Sequence, residues 1–133
     1  MSTNSIPVVT TGSGRRNRGR KVAVIGSGSW GTTFAKVLSD AGCDVTVWAR
    51  RPEVANEIQV ARRNSQYLPG INLPKNLKAT GDLAVALKGA QLVFLAVPSQ
   101  TLRQNLIDLE PFLDRRSVLV SLVKGVERTT TMR

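Results

Sequence analysis

Gly26, Gly28 and Gly31 follow the apolar run Lys21-Val22-Ala23-Val24-Ile25 at the offsets G-x-G-x-x-G, with Ser27, Ser29 and Trp30 between them. Each glycine answers a separate steric need: Gly26 the tight turn out of a strand, Gly28 the close approach of backbone to a phosphate, and Gly31 the close packing of a helix on that strand. The first amides of the helix have no acceptor in their own element and sit at its positive end, where an anion is favoured. These residue types at these spacings predict a turn that holds a pyrophosphate, and hence a dinucleotide site.

A second chemically suggestive pair, Arg50-Arg51, comes just after the run Asp44-Val45-Thr46-Val47-Trp48. In a dinucleotide-binding unit an acid at the end of the second strand accepts from the ribose 2′-hydroxyl, whereas arginine accommodates a 2′-phosphate. Guanidinium binds phosphate through two parallel donors and also stacks on aromatic rings. NADP is therefore favoured over NAD, with use of both left open.

The elements that must position these groups read as alternating strands and helices. Trp30, Phe34, Val37, Leu38 and Ala41 recur at helical spacing and are expected to face the sheet, and Gly42 ends that helix. With the flanking strands this makes a βαβ unit of about thirty residues. Pro52 opens a helix through Arg63 that turns Val54 and Ile58 inward, with Ala61 a further candidate. The Pro- and Gly-rich stretch from Tyr67 to Pro74 predicts a stiff loop. Leu77 to Thr80 is a short strand, and Asp82 caps a small helix ended by Gly89. Gln91 to Val97 reads as a central parallel strand broken by Pro98, Leu102, Leu106 and Leu109 as one helix face, and Ser117 to Val123 as another buried strand. The expected fold is α/β and Rossmann-like, a doubly wound, mostly parallel sheet. Ligands in such sheets bind beyond the carboxyl ends of the strands, so Gly26 to Gly31, Arg50, Arg51, Pro98 to Thr101 and Lys124 should meet in one crevice.

Bulk properties narrow the function classes. At 133 residues and 41% hydrophobic, the chain supports one core. No apolar run approaches the roughly 18 to 20 residues of a membrane span, so no membrane partner is expected. The single cysteine, Cys43, cannot form an internal disulfide, and a cytoplasmic setting follows. The formal charge is +10; no acid precedes Asp40, while Arg15, Arg16, Arg18, Arg20 and Lys21 crowd together. Residues 1 to 20 lack apolar periodicity and are expected to be a disordered basic tail, leaving 21 to 133 as the dinucleotide-binding domain. Nucleic-acid binding through the tail is not favoured, because interleaved aromatics and base-reading elements are missing. Pro7, Gly12, Gly14 and Gly19 oppose the amphipathic helix of a mitochondrial presequence.

Five ordered blocks together carry a resemblance: Gly26-Ser27-Gly28-Ser29-Trp30-Gly31-Thr32, Val47-Trp48-Ala49-Arg50, Asn64 with Tyr67-Leu68-Pro69-Gly70, Ala96-Val97-Pro98-Ser99-Gln100, and Val123-Lys124-Gly125. With them the chain resembles the amino-terminal domain of bacterial NAD(P)-dependent glycerol-3-phosphate dehydrogenases. Those enzymes interconvert dihydroxyacetone phosphate and sn-glycerol 3-phosphate by hydride transfer for glycerophospholipid synthesis. The resemblance implies that Ser27, Ser29 and Trp30 line the pyrophosphate turn and that Arg50 and Arg51 meet the adenosine end. It also makes Tyr67 a cofactor contact and Lys124 a contact to both cofactor and phosphorylated triose. Two other readings share parts of the pattern: the cofactor domain of another dehydrogenase of hydroxyacid or 6-phosphogluconate type, and a non-catalytic nucleotide-binding module.

The family's second, helical domain brings a catalytic lysine, an aspartate and an Arg-Asn pair, and none of these groups falls before Arg133. The chain is therefore expected to be truncated before the helical substrate domain, incomplete at its carboxyl end and inactive alone. It contains no histidine, so the commonest general acid and base is also missing. A sheet ending at a fifth strand would leave apolar surface uncovered, which predicts self-association or a homo-oligomer.

Overall fold

The structure, a computed structural model, describes residues 19–122. Five strands form one parallel sheet in the order β3-β2-β1-β4-β5: β1 (Lys21–Ile25), β2 (Asp44–Trp48), β3 (Lys78–Thr80), β4 (Leu92–Leu95) and β5 (Val118–Ser121). Helix α1 (Ser29–Asp40) links β1 to β2. Helix α2 (Pro52–Asn56) runs into a π-helical turn over Glu57–Ala61, and α3 (Leu83–Leu87) precedes β4. A 3-10 turn at Ser99–Thr101 leads into α4 (Leu102–Leu109).

Strand pleat sorts the core into two layers. Val22 and Val24 of β1 join Leu38, Val45, Val47, Ile58 and Phe94 on one face. Ala23 and Ile25 join Leu87, Val93, Leu95 and Leu109 on the other. Burial on both faces explains why β1 from Val22 onward and β4 are continuous apolar runs rather than alternating ones. The chain winds outward from β1 through β2 to β3, then crosses back to place β4 on the other side of β1, in register from Val22↔Leu92 to Ile25↔Leu95. That reversal opens the crevice at the carboxyl ends of β1 and β4.

Local signals act as read. Gly42 and Gly89 take positive φ where helices end, and the Asp82 side chain accepts from the Ala84 amide at 2.9 Å as the cap of α3. Gly19 and Arg20 already belong to the fold, with the Arg20 carbonyl accepting from the Asp44 amide; the rest of the expected basic tail lies outside the described residues.

Three expectations are corrected. The buried stripe of α1 is Gly31, Thr32, Ala35, Leu38 and Ser39, while Trp30 is 59% and Val37 52% exposed. Leu38 is buried, and Phe34 and Ala41 pack against the core as expected, Phe34 edge-on to Phe94 with ring centroids 4.8 Å apart; it is Trp30 and Val37 that turn outward, because small residues let the helix approach the sheet closely. In the segment after Pro52, Ala55 is buried in place of Ala61; the wider π turn shifts the phase of the face. Finally, β5 is not a buried strand: it pairs with β4 on one side, and Val118 and Leu119 stay 52% and 42% exposed.

Candidate functional site

The glycine turn divides its work as the spacing predicts. Gly26 holds φ at +123°, and a Cβ there would overlap the Ala96 carbonyl oxygen. The Gly26 amide bonds the Trp48 carbonyl at 3.0 Å, and the Ala96 amide bonds that of Ile25 at 2.8 Å, so the turn is stitched to both neighbouring strands. A Cβ on Gly31 would overlap the Gly26 carbonyl oxygen and come within 3.1 Å of the Ala96 Cβ. At Gly28, in contrast, a Cβ would meet nothing within 4 Å. Protein packing therefore requires glycine at 26 and 31, whereas at 28 the open space lies on the cleft side.

Gly28 is the N-cap of α1 in extended backbone, with no side-chain cap and no acid in the first turn. The amides of Gly28, Ser29, Trp30 and Gly31 donate to no acceptor among the described residues. A twelve-residue helix thus presents an uncompensated positive end to open space, the arrangement an anion satisfies.

Around this turn lies a cleft of about 850 Å³, within the roughly 300–1,000 Å³ of small-molecule and cofactor sites. It brings together Gly26 to Trp30, Arg50, Arg51, Tyr67 and the segment Ala96 to Thr101. Of the expected site residues, Gly31 lies behind the turn as packing, and Lys124 lies outside the described residues. Arg50 has no acidic partner among the described residues, while the Arg51 Nε sits 3.4 Å from the Glu53 carboxylate. Trp48 and Val54 add apolar wall between the turn and the arginines, where a flat heterocycle could rest. Among the described residues no carboxylate or imidazole lines the cleft, and no group of three or more His, Cys, Asp or Glu could hold a metal ion. The wall is built to bind and orient; it offers no acid–base pair.

Three polar residues at the site were assigned no role from the sequence. Asn64 and Thr32 are fully buried beneath the turn. The Asn64 Nδ2 donates to the Ser27 carbonyl at 2.8 Å and to the Thr32 Oγ1 at 2.9 Å, and that hydroxyl donates to the same carbonyl at 3.0 Å. Asn105, 4% exposed, lines the cleft and donates from Nδ2 to the Thr101 carbonyl at 2.8 Å. The available signal was a polar residue on an otherwise apolar helix face, as at Asn105 among Leu102, Leu106 and Leu109. Cys43 is buried beside the sheet, and desolvation pushes its thiol above the ordinary value, with Arg20 opposing weakly; it serves packing.

The family described as NAD-dependent glycerol-3-phosphate dehydrogenase N-terminus matches residues 21–133. Glycerol-3-phosphate dehydrogenase (NAD(P)+) of Leifsonia xyli is 58% identical over 110 residues, which are 83% of this chain and 30% of that protein. The protein of the same name from Streptomyces griseus is 59% identical over 110 residues, 83% of this chain and 33% of its own. The crystal structure of glycerol-3-phosphate dehydrogenase from Coxiella burnetii superimposes with a TM-score of 0.77 at 30% identity, covering 86% of this chain and 35% of that one. The chain thus spans about a third of the length of the curated relatives it matches. No helix among the described residues is long and apolar enough to cross a membrane. A match that runs from the first strand through the last described one, joined to a parallel sheet and a glycine turn in the same order, means that this chain belongs to the NAD-dependent glycerol-3-phosphate dehydrogenase family, in its amino-terminal part.

Proposed function

We propose that the cleft binds NADP or NAD as the cofactor part of a glycerol-3-phosphate dehydrogenase, one that interconverts dihydroxyacetone phosphate and sn-glycerol 3-phosphate. The observation that carries this reading is the open end of α1: four amides without acceptors, beside a glycine whose missing side chain leaves free space. Gly28, Ser29 and Trp30 would meet the pyrophosphate, with Gly26, Ser27 and Gly31 shaping the turn. Arg50 and Arg51 would meet the adenosine end, and Arg50, with no acid beside it, favours the 2′-phosphate of NADP. Tyr67 would cover the cofactor from its loop. Lys124 would reach toward cofactor and phosphorylated triose from beyond β5.

Bound nicotinamide supplies the hydride. The described residues that line the cleft bind and orient; a proton for the substrate oxygen comes from groups outside that lining. We therefore expect the 133-residue chain to show no glycerol 3-phosphate oxidation by itself. A cytoplasmic setting agrees with the free, buried Cys43, and self-association agrees with the exposed side chains of β5. The wider role we infer for that reaction is in glycerophospholipid synthesis.

Titration of NADPH and NADH into the chain, with Gly28→Val and Arg50→Asp alongside, tests the site. Gly28→Val should abolish binding of both. Arg50→Asp should weaken NADPH by about ten- to a hundredfold, as loss of a charged hydrogen bond worth roughly 1.5–3 kcal/mol implies, and NADH much less. Unchanged affinities in both variants would remove the assignment.

A further inference from the structure

We propose that Asn64, acting with Thr32, is the positioning residue that aims the pyrophosphate-binding amide of the glycine turn; this rests on the cofactor reading above. The Ser27 carbonyl accepts two hydrogen bonds from fully buried groups, Asn64 Nδ2 at 2.8 Å and Thr32 Oγ1 at 3.0 Å. A third bond at 2.9 Å, from Asn64 Nδ2 to Thr32 Oγ1, closes the triangle and fixes the hydroxyl hydrogen on the carbonyl. Both Nδ2 hydrogens are then used.

The consequence comes from peptide geometry. The bond between Ser27 and Gly28 is trans and planar, so the Ser27 C=O and the Gly28 N–H point in opposite directions. Pinning the carbonyl toward the buried pair turns the Gly28 N–H outward, on the side where Gly28 lines the cleft. Without the pins this peptide could rotate, since glycine restrains its own backbone least of all residues.

Asn64 also closes its own loop. Its backbone carbonyl accepts from the Leu68 amide at 2.7 Å, and its Oδ1 lies 3.4 Å from the Tyr67 amide. One side chain therefore sets the turn and the loop that carries Tyr67 into the same cleft. Only an uncharged amide suits the position: a carboxylate would face the Ser27 carbonyl with no donor.

The test titrates the 133-residue chain with NADPH and with adenosine 2′-monophosphate, which carries the arginine-binding phosphate and no pyrophosphate. Asn64→Ala and Thr32→Val should weaken NADPH by at least about tenfold and leave adenosine 2′-monophosphate within about twofold. Thr32→Ser, which keeps the hydroxyl, should restore NADPH affinity to within about twofold of the parent. Equal weakening of both ligands in Thr32→Val, or NADPH binding unchanged in Asn64→Ala and Thr32→Val, overturns the proposal while the cofactor site stands. If Asn64→Ala does not fold, the Thr32 pair decides alone. A parent chain that binds neither NADPH nor NADH, or binds NADPH no more tightly than adenosine 2′-monophosphate, removes the cofactor reading and this proposal with it; one that binds NADH alone is titrated with NADH and adenosine 5′-monophosphate in their place.

Discussion

Gly28 shows how one position can trade stability for binding. Its backbone, φ −69° and ψ −174°, is already that of a good N-cap, yet no side chain caps α1. Serine there would offer its oxygen to an amide of the first turn, as N-cap serine does, and stabilise the helix by a few tenths of a kcal/mol over glycine. The same oxygen would take the donor meant for phosphate. Gly28→Ser should raise the Tm slightly while weakening NADPH, an inverse pair readable by thermal melts and calorimetry; a rise in both would mean the amides are not the binding groups. Cys43 makes a second residue-level case, with the opposite polarity of concern. Burial raises its thiol above the ordinary value of 9.0, so the unfolded chain ionises first as pH rises. The stabilisation of the protonated thiol is complete below that value and is lost as pH climbs through the folded one. Relative to Cys43→Ala, the parent should lose stability as pH rises past the ordinary value of 9.0, seen as a narrowing gap in denaturant midpoints.

At the scale of elements, the crossing of α1 over β1 is what the turn depends on. A methyl group at Gly31 would overlap the Gly26 carbonyl, which is backbone and cannot move without opening the turn. Gly31→Ala should cost about 1–3 kcal/mol, the usual range for overpacking, and lower the Tm by at least about 5 °C for a domain of this size. A melt unchanged by that substitution would mean the helix can lift off the strand. Elements whose boundaries are punctuated by glycine, proline or a capping acid could be read from the sequence: β2 spans Asp44–Trp48 as expected, and Asp82 caps α3. What sequence periodicity misjudged was depth. Phe34 and Leu38 pack on the core as their spacing suggested, but Trp30 and Val37 stay exposed; a helix that passes close to a strand buries small residues along the contact, and only the sheet decides which. The triangle of Ser27, Thr32 and Asn64 escaped notice because its members are up to 37 residues apart and meet only after β2 and α2 bring the loop back under the turn. Polar residues gain meaning from burial, which spacing alone does not report.

For the molecule as a whole, the sheet is asymmetric about its centre. β1 has partners on both sides and β4 is buried throughout, while β5, among the described residues, pairs with β4 alone and exposes Val118 and Leu119. An apolar, singly paired edge invites another chain, and a second copy of the same strand is the simplest partner in a purified sample. The formal charge of +10 acts the other way. Like-charged copies repel over about 10 Å at 0.1 M salt and over shorter distances as salt is added. These two terms have opposite salt dependence, so their balance is measurable. If β5 drives association, sedimentation velocity should show the chain shifting from monomer toward dimer as ionic strength rises, because screening removes the repulsion and leaves apolar contact intact. Val118→Lys should hold the monomer at every salt concentration, since a charge on an edge strand is costly to bury and repels its copy. Were the basic residues to drive assembly instead, through a bridging polyanion, added salt would dissolve the complex and Val118→Lys would leave it in place.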